Sequence, residues 1–279
     1  MKALIYLFLV TTSLFANEGI SQIQKLIAEV GNPVVVFDLD DTLFYSSSRS
    51  WVIFKELANS TRFKEEYPKQ IAKLGKIELS QIKYSIEDTL RDVGIVDPAL
   101  IKKILKFWKE RFFTNEYVKE DAPVEGGREY VHKLRSLGAR IVYLTGRDHS
   151  MREGTIESLK SSGFPFDEEN SILITKERFD IPDIDYKKGA FEKIANMGTV
   201  VAFFENEPKN LNAMIERFKK AVPVFLDIKH SPSPVRPSYK AIWIKDYNFA
   251  TKKVECAYVD GFYENIDKNP YLGVGLNVC

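Results

Sequence analysis

The sequence predicts an α/β protein: a Rossmann-like parallel sheet with helices on both faces, carrying an all-helical insert and a small β-rich C-terminal extension. Three observations predict it. Short apolar runs rich in β-branched residues recur along the chain, each suited to a strand buried on both faces. Amphipathic stretches at helical spacing alternate with them, the pattern of repeated βα units. The polar residues out of keeping with a core gather where those runs end, at the carboxyl edge where open α/β sheets bind ligands.

Taken in order, Ile20, Ile23, Leu26, Ile27 and Val30 mark a first helix, stopped by Gly31-Asn32-Pro33. Val34 to Phe37 is a core strand that runs into Asp38-Leu39-Asp40-Asp41-Thr42. Residues 45 to 120 read as helical throughout, with Trp51 to Leu57, Leu79 to Val93 and Pro98 to Phe113 as the clearest stretches. Asp97 is the expected N-cap of the last of these, with Pro98 at its first position. Alternation then resumes. Helices are expected over Glu129 to Leu137, Met151 to Ser162, Lys187 to Met197 and Pro208 to Lys220. Strands are expected over Ile141 to Leu144, Ser171 to Thr175, Val200 to Phe204 and Pro223 to Asp227. Beyond Lys229, a Pro-Ser loop precedes two short strand-like runs, Lys240 to Lys245 and Val254 to Val259.

Composition excludes little, but it excludes something. The 40 basic and 39 acidic residues leave a formal net charge of +1, so the basic excess of a nucleic-acid or anionic-membrane binder is missing. A small anionic substrate needs only a few positive groups. At the N-terminus, Lys2, the apolar run Ala3 to Phe15 and small Ala16 match a secretory signal peptide over residues 1–16, too short for a membrane span. The expectation is an exported, periplasmic or secreted protein with no stable membrane anchor once the signal is cut. Export would permit a bridge between Cys256 and Cys279, though two cysteines do not make a metal site.

The chemistry concentrates on Asp38 and Asp40. Two carboxylates two apart at a strand end project to nearly the same side, and burying both is costly unless a cation compensates. Oxygen-only ligands favour a hard cation, and a site that keeps waters suits magnesium. Glu205, at another strand end, can complete the coordination with Asn206 beside it. A carboxylate also serves as a nucleophile in phosphoryl transfer. That reaction needs positive charge, which Lys187 or Lys188 can supply, and donors such as the Thr145 hydroxyl and the backbone at Gly146. Arg147 contacts substrate or forms an ion pair. Asp41 reads as an exposed turn or capping residue and Glu207 as a solvated one; His132 reads as structural, and His149 and His230 carry little functional weight.

In order, FDLDDT (37–42), YLTGR (143–147), YKKGAF (186–191) and VVAFFENEPKNL (200–211) resemble the four motifs of the haloacid-dehalogenase-like (HAD) hydrolases. The resemblance covers Pro33 to Asp227 apart from the helical insert. It implies Asp38 as the nucleophile that becomes an aspartyl-phosphate, and Asp40 as acid and then base, its backbone carbonyl toward the metal. It further implies Thr42 as a brace of the loop counted among the substrate-binding residues, Thr145 as a phosphate ligand, and a motif-three lysine, for which Lys188 is preferred because Gly189 follows it. Glu205 would bind magnesium, although the family usually has Asp there and often another Asp where Asn206 stands. The resemblance also makes residues 45–120 a cap that closes over the cleft of a core formed by 17–44 and 121–228, with 229–279 as extension. The implied function is a phosphomonoesterase acting on a small phosphorylated substrate. Dehalogenation is disfavoured, because Asp40 and the metal motif serve phosphoryl transfer. A phosphotransferase, a phosphonate-cleaving relative, or a binding protein that keeps the fold without turnover are the alternatives.

Overall fold

A computed structural model describes residues 19–232 and 234–250 of the chain. The signal-like segment, both cysteines and the strand expected at Val254 to Val259 lie outside the described residues.

Among the described residues the sheet has six strands, all parallel, in the order β5 (Ser171–Lys176), β4 (Arg140–Asp148), β1 (Pro33–Phe37), β6 (Thr199–Glu205), β7 (Val222–Leu226) and β8 (Ile242–Ile244). Strand β1 (Pro33–Phe37) is its centre and every residue of it is buried. Its side chains alternate between faces, as the period of two requires. Val35 and Phe37 enter one apolar cluster, with Tyr130, Leu134 and Leu159; Val34 and Val36 enter another, with Phe191, Ile194 and Met214. Helix α1 (residues 19–29) joins the first cluster through Ile20, Ile23 and Ile27. The flanking strands are β4 (Arg140–Asp148) and β6 (Thr199–Glu205), followed outward by β5 (Ser171–Lys176) and β7 (Val222–Leu226). The fold class is the one the apolar runs predict.

Within the extension, strand β8 (Ile242–Ile244) pairs in parallel with β7 and widens the main sheet by one strand.

The chain leaves the core through β2 (Phe44–Tyr45) and returns through β3 (Ala122–Pro123), which pair antiparallel. Between them lie α2 (Ser46–Asn59), α3 (Thr61–Glu66), α4 (Pro68–Leu74), α5 (Ile86–Asp92) and α6 (Pro98–Phe112). They pack on a third apolar cluster of their own, around Phe54, Leu57, Leu74, Leu90 and Ile104. Asp97 caps α6 by accepting from the N–H groups of Ala99 and Leu100. The single helix expected over Leu79 to Val93 is broken. A short 3-10 turn at Leu79–Gln81 gives way to extended chain, and α5 restarts where the Ser85 hydroxyl accepts from the N–H of Asp88. The Lys83 N–H is taken by the Thr89 hydroxyl, which locks that break.

Candidate active site

Immediately after β1 the chain folds back on itself. The Leu39 carbonyl accepts from the N–H groups of Thr42, Leu43 and Phe44, and Asp41 takes a left-handed φ of 53°. Asp is among the few residues that tolerate this region. The turn holds three carboxylates at the end of β1, facing a cavity of about 570 Å³ between the sheet edge and the helical insert. Asp38 is almost fully buried. Its backbone N–H donates to the Phe204 carbonyl of β6, and its Oδ2 accepts the Thr42 hydroxyl at 3.2 Å.

Lys187 completes this centre. After α7 (Gly127–Ser136) and α8 (Arg152–Ser161), helix α9 (Asp183–Ala195) begins four residues earlier than expected, so Lys187 lies on its buried face. Its ammonium donates to Asp38 Oδ1 at 2.6 Å and to Glu205 Oε2 at 2.7 Å. Lys188 is exposed, a rotation of about 100° away on the helix. The preference for Lys188 is therefore corrected: the lysine at the site is Lys187. Burial works against its charge, but the attraction of Asp38 and Glu205 outweighs that and raises its pKa. The same burial pushes Asp38 well above the usual carboxylate range despite Lys187, and raises Glu205. One ammonium thus serves two buried acids, leaving an excess negative charge in a dry place.

That excess is the observation by which a metal can be tested. Among the described residues no group of three or more His, Cys, Asp or Glu side chains is set to hold an ion. The oxygen donors present, Asp38, Glu205 and the Asn206 side-chain carbonyl, nonetheless fit a hard dication that keeps water ligands. Asn206 Oδ1 lies 3.4 Å from the Thr42 hydroxyl, and its amide nitrogen donates to the Lys229 carbonyl at 2.6 Å.

Asp40 is not part of that donor set through its side chain, which corrects its placement among the metal carboxylates. Its carboxylate is held instead in an ion cluster on the wall of the same cavity. Arg147 donates to it from Nε at 3.1 Å and from Nη2 at 2.8 Å, and Arg49 donates from Nη2 at 2.8 Å. Both guanidiniums also bind Asp121, Arg147 at 2.7 Å and Arg49 through two nitrogens. Burial would raise the Asp40 pKa, but Arg147 and then Arg49 outweigh it and hold the carboxyl well below the usual range. Of the ambiguous readings of Arg147, a buried ion pair is the one observed.

Three further expectations change. Thr42 has no exposed surface and braces Asp38 and Asn206 from beneath, so it is not a substrate contact. Thr145 is equally buried and its hydroxyl accepts the Arg147 N–H at 3.3 Å; the cavity meets β4 one residue later, at Gly146 and Arg147. A Cβ at Gly146 would meet the Asp183 carboxylate at 2.5 Å, so a side chain there would have to displace that carboxylate. Asp41 is buried rather than exposed, accepts from the N–H and hydroxyl of Ser46 at the start of α2, and is pushed up to about 7 by burial.

Sequence reasoning missed Arg49, Asp121 and Lys229. Arg49 carried a weak signal, a lone cation within the Ser46 to Ser50 run, and Asp121 carried none. Two other polar residues gain roles. Glu207 accepts from the N–H and hydroxyl of Ser231, and Tyr84 of the insert lines the cavity with it. The insert lines the far wall of the cavity with Trp108, Phe112 and Phe113, whose rings contact one another. His132 and His149 bond to Gly163 and Thr175, outside the cavity lining.

Residues 100–220 match a family model described as HAD superfamily, subfamily IIIB (Acid phosphatase), a stretch that holds Arg147, Lys187 and Glu205 but not Asp38. No curated protein sequence matches the chain. Among solved structures, a putative phosphatase from Clostridium difficile is similar at 12% identity and a TM-score of 0.49, over 79% of this chain and 98% of that one. A putative beta-phosphoglucomutase from Thermotoga maritima is similar at 14% identity and a TM-score of 0.47, over 79% and 97%. A class C acid phosphatase from Bacillus anthracis, with tungstate bound, is similar at 16% identity and a TM-score of 0.42, over 80% and 76%.

Proposed function

We propose that this chain is a haloacid-dehalogenase-like phosphatase that hydrolyses phosphate monoesters in two steps through an aspartyl-phosphate on Asp38, a reading that the family-model match over residues 100–220 supports. The observation that carries this reading is the Lys187 ammonium held between Asp38 and Glu205 on the cavity floor. In the first step an Asp38 oxygen attacks phosphorus, the phosphorus–oxygen ester bond breaks, and the leaving oxygen takes a proton. In the second, water attacks phosphorus, frees Asp38 and releases inorganic phosphate. Lys187 fixes the nucleophile's rotamer and sets positive charge beside the transferring group. Asp40 is held ionised by its two arginines, which weakens it as a base, so both its base role in the second step and its acid role in the first require that hold to loosen.

A divalent metal accompanies this chemistry, and we assign it as magnesium. Asp38, Glu205 and Asn206 would hold it, with the Asp40 backbone carbonyl, and when bound it neutralises the excess negative charge beside the phosphoryl oxygens. The helical insert acts in this reading as a cap, its aromatic wall keeping water from the intermediate. The Lys2-led apolar run at the N-terminus supports export, with cleavage after Ala16 and action on a small phosphorylated compound outside the cytoplasm.

Phosphate release from a panel of monoesters tests the activity, with magnesium, with chelator, and beside Asp38→Asn. Turnover that needs both the metal and Asp38 is expected. Turnover that ignores the chelator removes the metal from the scheme, and a folded chain silent on every ester is a binding protein. The mass of the exported protein checks whether residues before Asn17 are gone.

A further inference from the structure

The cations deep in the cavity are already committed. Lys187 serves Asp38 and Glu205, and Arg49 and Arg147 serve Asp40 and Asp121. Lys83, at the mouth, pairs with Asp92. Lys229 is different. It lines the same cavity half-buried, yet among the described residues its ammonium makes no hydrogen bond or ion pair. The nearest acid it feels is Asp41, both of whose oxygens are occupied by Ser46.

Its backbone is also unusually well fixed for a segment beyond the last predicted core strand. The Lys229 carbonyl accepts from Asn206, and two residues on, Ser231 donates twice to Glu207. A partly desolvated amine on a pinned backbone, without a counter-charge, is arranged for an anion that arrives with the substrate. Lys187 already stands at Asp38, where phosphoryl transfer occurs, and Lys229 lies toward Asp41 instead.

Resting on the phosphomonoesterase reading, we propose that Lys229 is a specificity-determining residue that binds a second anionic group, phosphoryl or carboxylate, on the leaving-group side of the substrate. The C-terminal extension thereby contributes directly to substrate choice. Preferred substrates carry two anionic ends, one for Asp38 and Lys187 and one for Lys229.

The test compares kcat/KM for alkanediol bisphosphates and ω-carboxyalkyl phosphates of two to six methylenes with the matching hydroxyalkyl monophosphates. The expected result is a ratio of about ten or more at one chain length in at least one series, falling toward one in Lys229→Met and retained in Lys229→Arg. Which series shows it identifies the anion. A ratio near one at every length in both series overturns the proposal, as does a ratio that survives in Lys229→Met with the variant's melting temperature intact. If the intact chain turns over none of the compounds, the phosphomonoesterase reading fails instead.

Discussion

Removing Arg49 should damage the protein in a way that a second, compensating change repairs. Asp40, Asp121, Arg49 and Arg147 form a cluster of two negative and two positive groups in which the Asp121 and both arginine side chains are at most 1% exposed. Arg49→Met keeps much of the bulk but leaves the cluster with one uncompensated negative charge. It also strands the Phe112 carbonyl, which Arg49 Nη1 reaches at 2.9 Å. Breaking a buried pair by removing one partner costs about 3–5 kcal/mol. Taking the lower end, because Arg147 remains, about 3 kcal/mol corresponds to a fall in melting temperature of roughly 6–12 °C at this chain length. Asp121→Asn in the same chain returns the cluster to zero charge. The double variant should therefore be more stable than the sum of the singles by about 1–3 kcal/mol. Denaturant unfolding of the four proteins measures that coupling. Additive losses would refute the electrostatic account of the cluster.

Other outcomes follow from the same geometry. Lys187→Met should lower kcat by about 10²–10³-fold, the scale of losing one preorganised electrostatic group, whereas Lys188→Met on the exposed side should stay within about twofold; kinetics on one monoester decides between them. Gly126→Ala should cost at least about 2 kcal/mol by thermal melting, since Gly126 has φ 73° and a Cβ there would run into the Tyr247 backbone. Asp167 gives a pH-dependent case. Burial acts to raise its pKa, but the N–H groups of Asn170, Ser171 and Glu169, with Arg135, lower it overall. A depressed folded-state pKa stabilises above the unfolded value near 3.9 and is lost as pH falls through the folded one. Asp167→Asn should accordingly melt below the parent at pH 7, with the gap closing below about pH 4.

The parts of this molecule legible in the sequence are those set by local pattern. Val34 to Phe37 and Val200 to Phe204 read as strands because both faces are buried, and the carboxylates that follow them stood out against that apolar background. The missed parts are set by phase or by distance. Whether Lys187 or Lys188 faces the site depends on where α9 starts, and a shift of one residue turns a buried side chain outward. Leu79, Ile82, Ile86 and Leu90 have helical spacing and are spread over a turn, an extended break and α5, because the Ser85 and Thr89 hydroxyls capture backbone groups locally. Arg49 meets Asp121 across 72 positions of chain, a contact that no window of sequence contains. The three residues of β8 carry almost no sequence pattern. In the fold they extend the sheet, and Tyr247 beyond them donates its hydroxyl to the Thr42 carbonyl beneath the nucleophile turn.

The central claim is that phosphorus passes through Asp38. Quenching the protein during turnover and reducing it with borohydride converts an acyl phosphate to an alcohol, so a trapped aspartyl-phosphate becomes homoserine at that position. The account predicts homoserine at residue 38 by peptide mass, dependent on substrate and absent in Asp38→Asn. Steady phosphate release with aspartate unchanged at residue 38, or with homoserine at any other acid of the cavity, would contradict it.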